Sequence, residues 1–167
     1  LLEIKDLYVE YRTDEAVVQA VNGLNLTVNE GETLGLVGET GAGKTTTALS
    51  ILKLLPDRVS YIKNGSISLD GTDIMKASEA DMRLLRGNVV SMIFQDPMTS
   101  LNPVITVGDQ IKEILILHNI DNRPMKELDA RVDEIMKMVG IAPDRKHDYP
   151  HQFSGGMKQR IVIAIAL

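Results

Sequence analysis

The feature that most constrains the fold is a glycine-rich motif at residues 38–45, which reads G-E-T-G-A-G-K-T. It fits the pattern G-x-x-x-x-G-K-[ST] of a phosphate-binding P-loop, which requires a buried strand before it and a helix after it. The apolar run 33–37 predicts that strand, covered on both faces. Apolar residues after the motif share one helical stripe, and Pro56 ends the helix. These residues are Ala48, Ile51, Leu52 and Leu55. We therefore expect a nucleoside triphosphate site here rather than a chance glycine-rich turn.

Each part of this motif has a chemical reason. Its three glycines permit a tight turn, so that successive backbone N–H groups point into one concavity and bind phosphate oxygens. Lys44 would reach the β- and γ-phosphates, and the Thr45 hydroxyl would ligate Mg²⁺. The following helix adds unpaired N–H groups and the positive end of its dipole. The predicted nucleotide-binding residues are Gly38, Glu39, Thr40, Gly41, Ala42, Gly43, Lys44, Thr45 and Thr46.

Composition excludes several classes of protein. The 167 residues suit one domain, with a hydrophobic content of 44% and a charged content of 25% that are ordinary for a globular protein. A net charge of −5 and an aromatic content of 4% argue against a nucleic-acid partner. No apolar run approaches the roughly 18 residues that cross a bilayer. The absence of cysteine excludes disulfides and thiolate metal sites.

Alternating apolar and polar residues predict an antiparallel sheet beside the nucleotide core. The alternation runs through residues 2–5 and 7–11, and a further run covers residues 16–28. Asn22-Gly23 interrupts that run and is a typical turn-forming pair, so we expect a turn there. Residues 66–71 alternate again and end in a turn.

The second half of the chain predicts mainly helices. Ser78 and the acidic residues after it begin a helix that closes near Gly87, and residues 89–94 predict a second buried strand. Two apolar helical faces then make residues 106–150 a helical insertion, with Gly140 as a C-terminal stop. The first face comprises Val107, Ile111, Ile114, Leu115 and His118, and the second Leu128, Val132, Ile135, Met136 and Val139.

A second possible anion site lies at Ser154-Gly155-Gly156. Ser154 can cap a helix, and the two glycines leave the first N–H groups open. Alone, this tripeptide is a weak signal, and a plain loop before a helix is the alternative. Residues 161–167 are all apolar, and both strand and helix remain open there.

Taken together, these motifs resemble the nucleotide-binding domain of an ABC transporter over the whole chain. Residues 95–103, Q-D-P-M-T-S-L-N-P, and 153–160, F-S-G-G-M-K-Q-R, resemble the oligopeptide, dipeptide and nickel importer ATPases. The resemblance implies an α/β fold with a P-loop NTPase (RecA-like) core, an N-terminal antiparallel β subdomain and a helical insertion, the core being incomplete at its C-terminus. The implied β subdomain is 1–32 and 60–72, the core 33–59 and 73–105, and the helical subdomain 106–167.

The resemblance also implies roles for single residues. Tyr11 takes the place of an aromatic residue that stacks on adenine; the alternative is a surface tyrosine at a strand end. Gln95 takes the place of a catalytic residue that contacts Mg²⁺ and the attacking water; the alternative is a polar residue ending a strand. Ser154, Gly155 and Gly156 match the signature, which binds the γ-phosphate of ATP held by the opposite subunit. Met157 replaces the glutamine of the general signature and agrees with the peptide-importer variant.

The implied function is that of an ATP-hydrolysing subunit with ATP and Mg²⁺ as ligands. Two such domains pair head to tail, as a homodimer or heterodimer, with each ATP between one P-loop and the other subunit's signature. Turnover opens and closes this pair, and the helical insertion transmits the motion to transmembrane permease subunits. An extracytoplasmic solute-binding protein delivers the solute to these subunits. The implied location is the cytoplasmic face of a prokaryotic membrane, without a nucleic-acid partner.

The chain departs from the family pattern in one respect. The family places an Asp for Mg²⁺, a Glu that polarises water and a switch histidine after the signature helix, and residues 1–167 contain none of them. We therefore expect residues 1–167 alone to be catalytically incompetent, with apolar surface such as Ile161, Ile163 and Ile165 exposed. Two alternatives are a soluble ABC ATPase of DNA repair or translation and a module that only binds nucleotide.

Overall fold

The computed structural model of the chain describes residues 1–94, 96, 100–119 and 121–167. Contacts divide the chain into two compact units, residues 1–83 and 84–167. No helix within the described ranges is both long and apolar enough to cross a lipid bilayer.

The first unit contains a four-stranded antiparallel sheet, which confirms the prediction from alternation. Its strands are β1 (Leu2–Arg12), β2 (Val17–Val28), β3 (Ser60–Leu69) and β4 (Thr72–Asp73), in the order β2-β1-β3-β4. Apolar residues of the central strands are almost fully buried, because successive side chains point to opposite faces and one face carries the core. They include Ile4, Leu7, Val9, Ile67 and Leu69. Helix α1 (Lys44–Ile51) follows the P-loop directly.

The predicted turn at Asn22-Gly23 is wrong, because β2 continues through it. The pairing of β1 with β2 shifts register there, from Leu7 opposite Leu24 to Val9 opposite Val21, so the pair forms a β-bulge. Gly23 supplies the positive φ, 65°, that such an irregularity favours.

The same irregularity extends across three strands. Asp6 on β1 has a φ of 48°, and its N–H donates to Asn25 Oδ1 at 3.0 Å on β2. The Asn64 amide on β3 donates to Asp6 Oδ2 at 2.9 Å. A β-carbon at Gly65 would lie 2.6 Å from the Asp6 carbonyl oxygen, so the backbones approach too closely for any other residue. The two alternating runs 2–5 and 7–11 are therefore one strand bent at Asp6.

Both predicted buried strands of the core are also wrong in this structure. Residues 33–37 form no strand and are exposed, with Val37 at 94%. Residues 91–94 form no strand either, and Ile93 and Phe94 are each 51% exposed. A strand exists only where another strand accepts its hydrogen bonds, and neither segment has such a partner in the sheet of the described residues. Apolar sequence alone does not supply one.

Helix α1 ends at Ile51, because Lys53 turns the chain with a φ of 53°, so the prediction that this helix continues through Leu52 and Leu55 to Pro56 is wrong. The later helix predictions from capping and periodicity are confirmed. Helix α2 (Glu79–Leu85) begins after Ser78, whose Oγ accepts a hydrogen bond from the Asp81 N–H at 3.2 Å. The helix ends before Gly87, which has a φ of 85°. In the second unit, α3 (Val107–Leu117) and α4 (Met125–Met138) bury the predicted faces, and Gly140 ends the latter with a φ of 69°. Two 3₁₀ helices (Pro143–His147 and Pro150–Gln152) lead to α5 (Gly155–Ala166).

The last segment of the chain is helical and partly buried. Ile161 is completely buried in the core of the second unit, so the expectation that it is exposed is wrong. Ile163 is 39% exposed, as expected, whereas Ile165 is partly buried against the same core. The helical period explains the difference, because it turns one face of α5 inward and the other outward. The core comprises Leu101, Val107, Ile111, Val132, Ile135, Met136, Ile141, Phe153, Ile161, Val162 and Ala164.

Candidate nucleotide-binding site

The P-loop turns sharply before α1. Gly41 and Gly43 have φ values of 86° and 80°, in the left-handed region that glycine adopts without strain. The Ala42 N–H donates to the Glu39 carbonyl at 3.1 Å and closes the turn. Gly43 is the N-cap of α1 and provides no side-chain cap, so the first N–H groups of the helix stay available to a ligand.

The end of the loop packs directly on the sheet. A β-carbon at Gly43 would lie 2.2 Å from the Ala20 carbonyl oxygen on β2 and 3.3 Å from Val21 Cγ2. At Gly41, by contrast, a β-carbon would meet no atom of the described residues within 4 Å. Gly43 thus holds the helix N-terminus against β2, whereas Gly41 makes no such close approach to the described residues.

Lys44 lies across the mouth of the loop. Its ammonium donates to the Gly38 carbonyl at 2.5 Å and to the Glu39 carbonyl at 2.7 Å. These bonds hold a positive charge over the same loop whose N–H groups are suited to phosphate oxygens. The amine can exchange a carbonyl for a phosphate oxygen without leaving the loop.

The threonines after Lys44 face different surroundings. Thr45 is exposed, whereas Thr47 is buried and its hydroxyl donates to the Gly43 carbonyl at 2.9 Å. The Thr45 oxygen is a hard donor of the kind Mg²⁺ prefers, which fits the predicted role. Among the described residues, no group of three or more His, Cys, Asp or Glu side chains could hold a metal ion.

Tyr11 lies near the end of β1, beside the helix that follows the P-loop. Its hydroxyl is 3.3 Å from the Thr46 hydroxyl, and its side chain is half-buried. The next residue, Arg12, stacks its guanidinium 4.5 Å from the centre of the Tyr61 ring. The tertiary structure thus brings Tyr11 to the P-loop segment, from which it is 35 residues away in sequence.

A buried carboxylate lies next to Tyr11 on β1. Glu10 is 2% exposed and pairs with Arg12 Nε at 2.7 Å and with Lys63 Nζ at 3.1 Å. The hydrogen bond from Arg12, and secondly that from Lys63, lower the pKa of Glu10 against the opposing effect of burial. The carboxylate is therefore a charged, fully partnered element of the sheet.

Clefts on the described part of the first unit include two of similar size. One, with a volume of about 410 Å³, borders the P-loop and is lined by Ala20, Lys44 and Thr47 among others. The other, of about 450 Å³, lies on the sheet around Glu10 and Lys63. Only the first combines a lysine with the open N–H groups of a helix, and it is therefore the better candidate for phosphate binding.

The predicted signature forms the exposed start of α5. Ser154 is the N-cap, and its Oγ accepts from the Met157 N–H at 3.4 Å. Gly155 and Gly156 are exposed, and within the part of the chain that the structure describes a β-carbon on either would meet no atom closer than 4 Å. Met157 is partly buried against the core of its unit. The three exposed residues therefore present free space and backbone donors at the start of a helix.

Two residues that contact the predicted sites, Ala20 and Arg145, could not be predicted from the sequence. Ala20 supplies the carbonyl against which Gly43 packs, and Arg145 contacts the segment that carries the signature. Neither has a motif or a spacing that could have identified it, because both contacts arise from tertiary structure. Gln95, the predicted catalytic residue and second Mg²⁺ ligand, lies outside the described residues.

Comparisons with known proteins agree with these motifs. The profile of the ABC transporter family matches residues 21–167. The chain is 46% identical over 170 residues to the oligopeptide transport ATP-binding protein OppD of Bacillus subtilis, covering 100% of the chain and 47% of that protein. It is 45% identical over 172 residues to the dipeptide transport ATP-binding protein DppD of the same organism, covering 100% and 50%. The chain thus spans about half the length of the curated relatives it matches.

Solved structures also resemble the chain. The dimeric structure of MJ0796, a bacterial ABC transporter cassette, has a TM-score of 0.86 at 25% identity and covers 100% of this chain and 69% of that one. The dimeric post-hydrolysis state of MJ0796 bound to ADP and Pi has a TM-score of 0.83 at the same identity and coverage. The α/β P-loop NTPase fold predicted from the sequence is confirmed.

Proposed function

Since the chain belongs to the ABC transporter family, we propose that it is the ATP-binding and ATP-hydrolysing part of an importer for peptides or related solutes. The observation that carries the proposal is the P-loop itself, where Gly43 packs on β2 and Lys44 lies over the loop carbonyls. The names of relatives that are 45% to 46% identical to the chain support peptides as the cargo class. They favour transport over DNA repair or translation.

In the proposed complex the phosphates of ATP occupy the P-loop. The backbone N–H groups of residues 38–46 and the ammonium of Lys44 bind the phosphate oxygens, and Lys44 gives up a carbonyl to do so. Thr45 would hold Mg²⁺ with the predicted Gln95, and the ion would neutralise phosphate charge. The ring of Tyr11 stacks on adenine. The contact between the Tyr11 and Thr46 hydroxyls supports this role, because it holds the tyrosine next to the P-loop helix.

A second copy or a related subunit completes each site. Ser154, Gly155 and Gly156 bind the γ-phosphate of ATP held by the partner, with Met157 behind them, because a helix N-terminus attracts anions. The exposed position of the three residues and the dimeric form of the structural relatives support this arrangement. ATP then joins the two subunits, and loss of the γ-phosphate releases them.

Hydrolysis needs a positioned water and acidic groups besides the P-loop. Residues 1–167 provide Lys44, Thr45 and Gln95 but not the Asp and Glu that the family places after the signature helix. The same 167 residues by themselves should therefore bind ATP weakly and hydrolyse it at background rate. We also propose that the chain divides into a β subdomain, a nucleotide core and a helical subdomain.

The proposed partners are transmembrane permease subunits at the cytoplasmic face of a prokaryotic membrane, served by an extracytoplasmic solute-binding protein. The test is affinity purification of the tagged full-length protein from membranes, followed by ATPase assays with peptide-loaded binding protein. We expect copurified integral membrane subunits and peptide-stimulated ATP hydrolysis. Copurification with nucleic acid in place of membrane subunits would contradict the transport function.

A further inference from the structure

Arg145 joins three parts of the segment that leads into α5. Its Nε donates to Asp148 Oδ2 at 2.8 Å, and its Nη2 donates to the Gln152 carbonyl at 3.1 Å. Its guanidinium carbon lies 4.1 Å from the centre of the Phe153 ring, and its Nη1 is 3.7 Å from Met157 Sδ. One side chain thus contacts residues on both sides of the Ser154 cap.

These contacts depend on the shape of the guanidinium. A planar fork can donate along its edges to a carboxylate and a carbonyl while its face stacks on an aromatic ring. Phe153 is 5% exposed, and the Arg145 side chain is 32% exposed, so water only partly competes with these contacts. A lysine ammonium is a compact charge that can pair with Asp148 but cannot make all these contacts together.

The anchored segment is also tied to the rest of its unit. The Val107 N–H on α3 donates to the Asp148 carbonyl at 2.9 Å, and the Tyr149 N–H donates to Gln152 Oε1 at 2.7 Å. Gly155 and Gly156 have no side chains that could hold their own orientation. The direction of their N–H groups therefore depends on the residues that flank them, which Arg145 contacts.

We propose that Arg145 is a positioning residue for the γ-phosphate site at Ser154, Gly155 and Gly156. It touches no nucleotide; it holds Gln152, Phe153 and Met157 so that the backbone donors between them point outward. The inference rests on the proposed role of the signature in binding the partner's ATP. It adds a residue that no motif of the sequence marks.

The test uses the full-length protein with Arg145→Met and Arg145→Lys. Arg131→Met is the matched control, since it removes the same charge from an exposed pair with Glu134 on one turn of α4. Ser154→Arg is the reference variant for the signature itself. The measurements are the affinity of the monomer for ATP, nucleotide-dependent dimerisation with a non-hydrolysable ATP analogue, hydrogen exchange of the amides of residues 153–157, and the midpoint of thermal unfolding.

We expect both Arg145 variants to keep the ATP affinity of the monomer within about twofold and to weaken dimerisation by roughly tenfold or more, because misplaced donors lose their contacts. Their amides at 153–157 should exchange faster than those of the parent, and Arg131→Met should match the parent throughout. If Arg145→Met fails to fold, Arg145→Lys still tests the inference, because it keeps the aliphatic part of the side chain and the positive charge.

Different failures have different meanings. Parental dimerisation and exchange in Arg145→Lys and Arg145→Met, while Ser154→Arg no longer dimerises, would overturn the inference and leave the proposed function intact. Parental dimerisation in Ser154→Arg would overturn the proposed signature, and the inference with it.

Discussion

Gly43 lies so close to Ala20 that a β-carbon on the glycine would stand 2.2 Å from the Ala20 carbonyl oxygen. This approach joins the last turn of the P-loop to β2, and the φ of 80° at Gly43 fits it. The start of α1 is thereby held against the sheet, and Tyr11 on the adjacent β1 comes within 3.3 Å of Thr46. The geometry of the candidate site thus depends on a contact between the sheet and the loop.

Replacing Gly43 should therefore harm the protein more than replacing Gly41. Gly43→Ala combines a strained φ with a backbone clash, whereas Gly41→Ala has a similar φ but its β-carbon would clash with none of the described residues. We expect Gly41→Ala to cost on the order of 1–2 kcal/mol of the free energy of unfolding, and Gly43→Ala to cost more. Urea unfolding of both variants measures this. Equal losses would show that the approach to Ala20 does not constrain the loop.

Removing the Lys44 ammonium should weaken ATP binding strongly. Lys44→Ala deletes the one side-chain cation of residues 38–46, and loss of a charge-assisted bond to phosphate costs about 2–3 kcal/mol, on the order of a hundredfold in affinity. Isothermal titration calorimetry checks this, with Lys76→Ala as control because that exposed lysine pairs with Asp73 away from the P-loop. Equal affinities of Lys44→Ala and the parent would refute the P-loop site.

Tyr11 allows the ring and the hydroxyl to be tested separately. Tyr11→Phe removes the contact with Thr46 and keeps the ring, so it should bind ATP almost like the parent. Tyr11→Ala removes the stacking surface and should weaken ATP binding by about 1–3 kcal/mol, the usual cost of losing an aromatic ring under a base. If the two variants bind ATP equally well, adenine does not stack on Tyr11.

Glu10 should make stability depend on pH. Arg12 first, and then Lys63, lower the pKa of its carboxyl in the folded state below the value of 4.5 for an unperturbed group. The stabilisation from Glu10 is thus complete above that unfolded value and is lost as pH falls through the folded value. Glu10→Gln should destabilise the protein at pH 7, and its deficit relative to the parent should shrink below about pH 4.

Urea unfolding of Glu10→Gln and the parent at several pH values measures this dependence. Glu3→Gln serves as control, since it removes the same charge from an exposed pair with Lys5 whose loss should change stability little at pH 7. A deficit of Glu10→Gln that stays constant from pH 7 down to about pH 3 would contradict the role of the ionised carboxylate.

Features that depend on neighbours in sequence were predictable. The positive φ values at Gly41 and Gly43, the Ser78 and Ser154 caps and the stop at Gly140 all follow from the chemistry of one or two residues. Periodicity likewise identified the sheet and the buried faces of α3 and α4, because side-chain direction repeats every two or 3.6 residues.

Contacts between distant segments were not predictable in this way. Asn22-Gly23 suits a turn or a bulge equally well. The bulge forms because of the strand pairing and the close contact between Asp6 and Gly65 on neighbouring strands. Residues 33–37 have the composition of a buried strand, but hydrogen bonds to a second strand are needed to form one.

The sequence by itself determined that this chain carries a P-loop motif and a serine that can cap a helix at residue 154, because these rest on local backbone chemistry. The α/β fold and the signature were implied by the resemblance of the motifs to the ABC transporter family. Tertiary structure alone decided that Ala20 abuts Gly43, that Tyr11 reaches Thr46, and that Arg145 anchors the segment before α5. It also decided that residues 161–166 form a helix. The apolar run suits a strand or a helix, and burial of Ile161 in the core of the second unit favours the helix. The physical reason is the same throughout: packing and hydrogen bonding between distant residues depend on the whole fold, and no short stretch of sequence contains them.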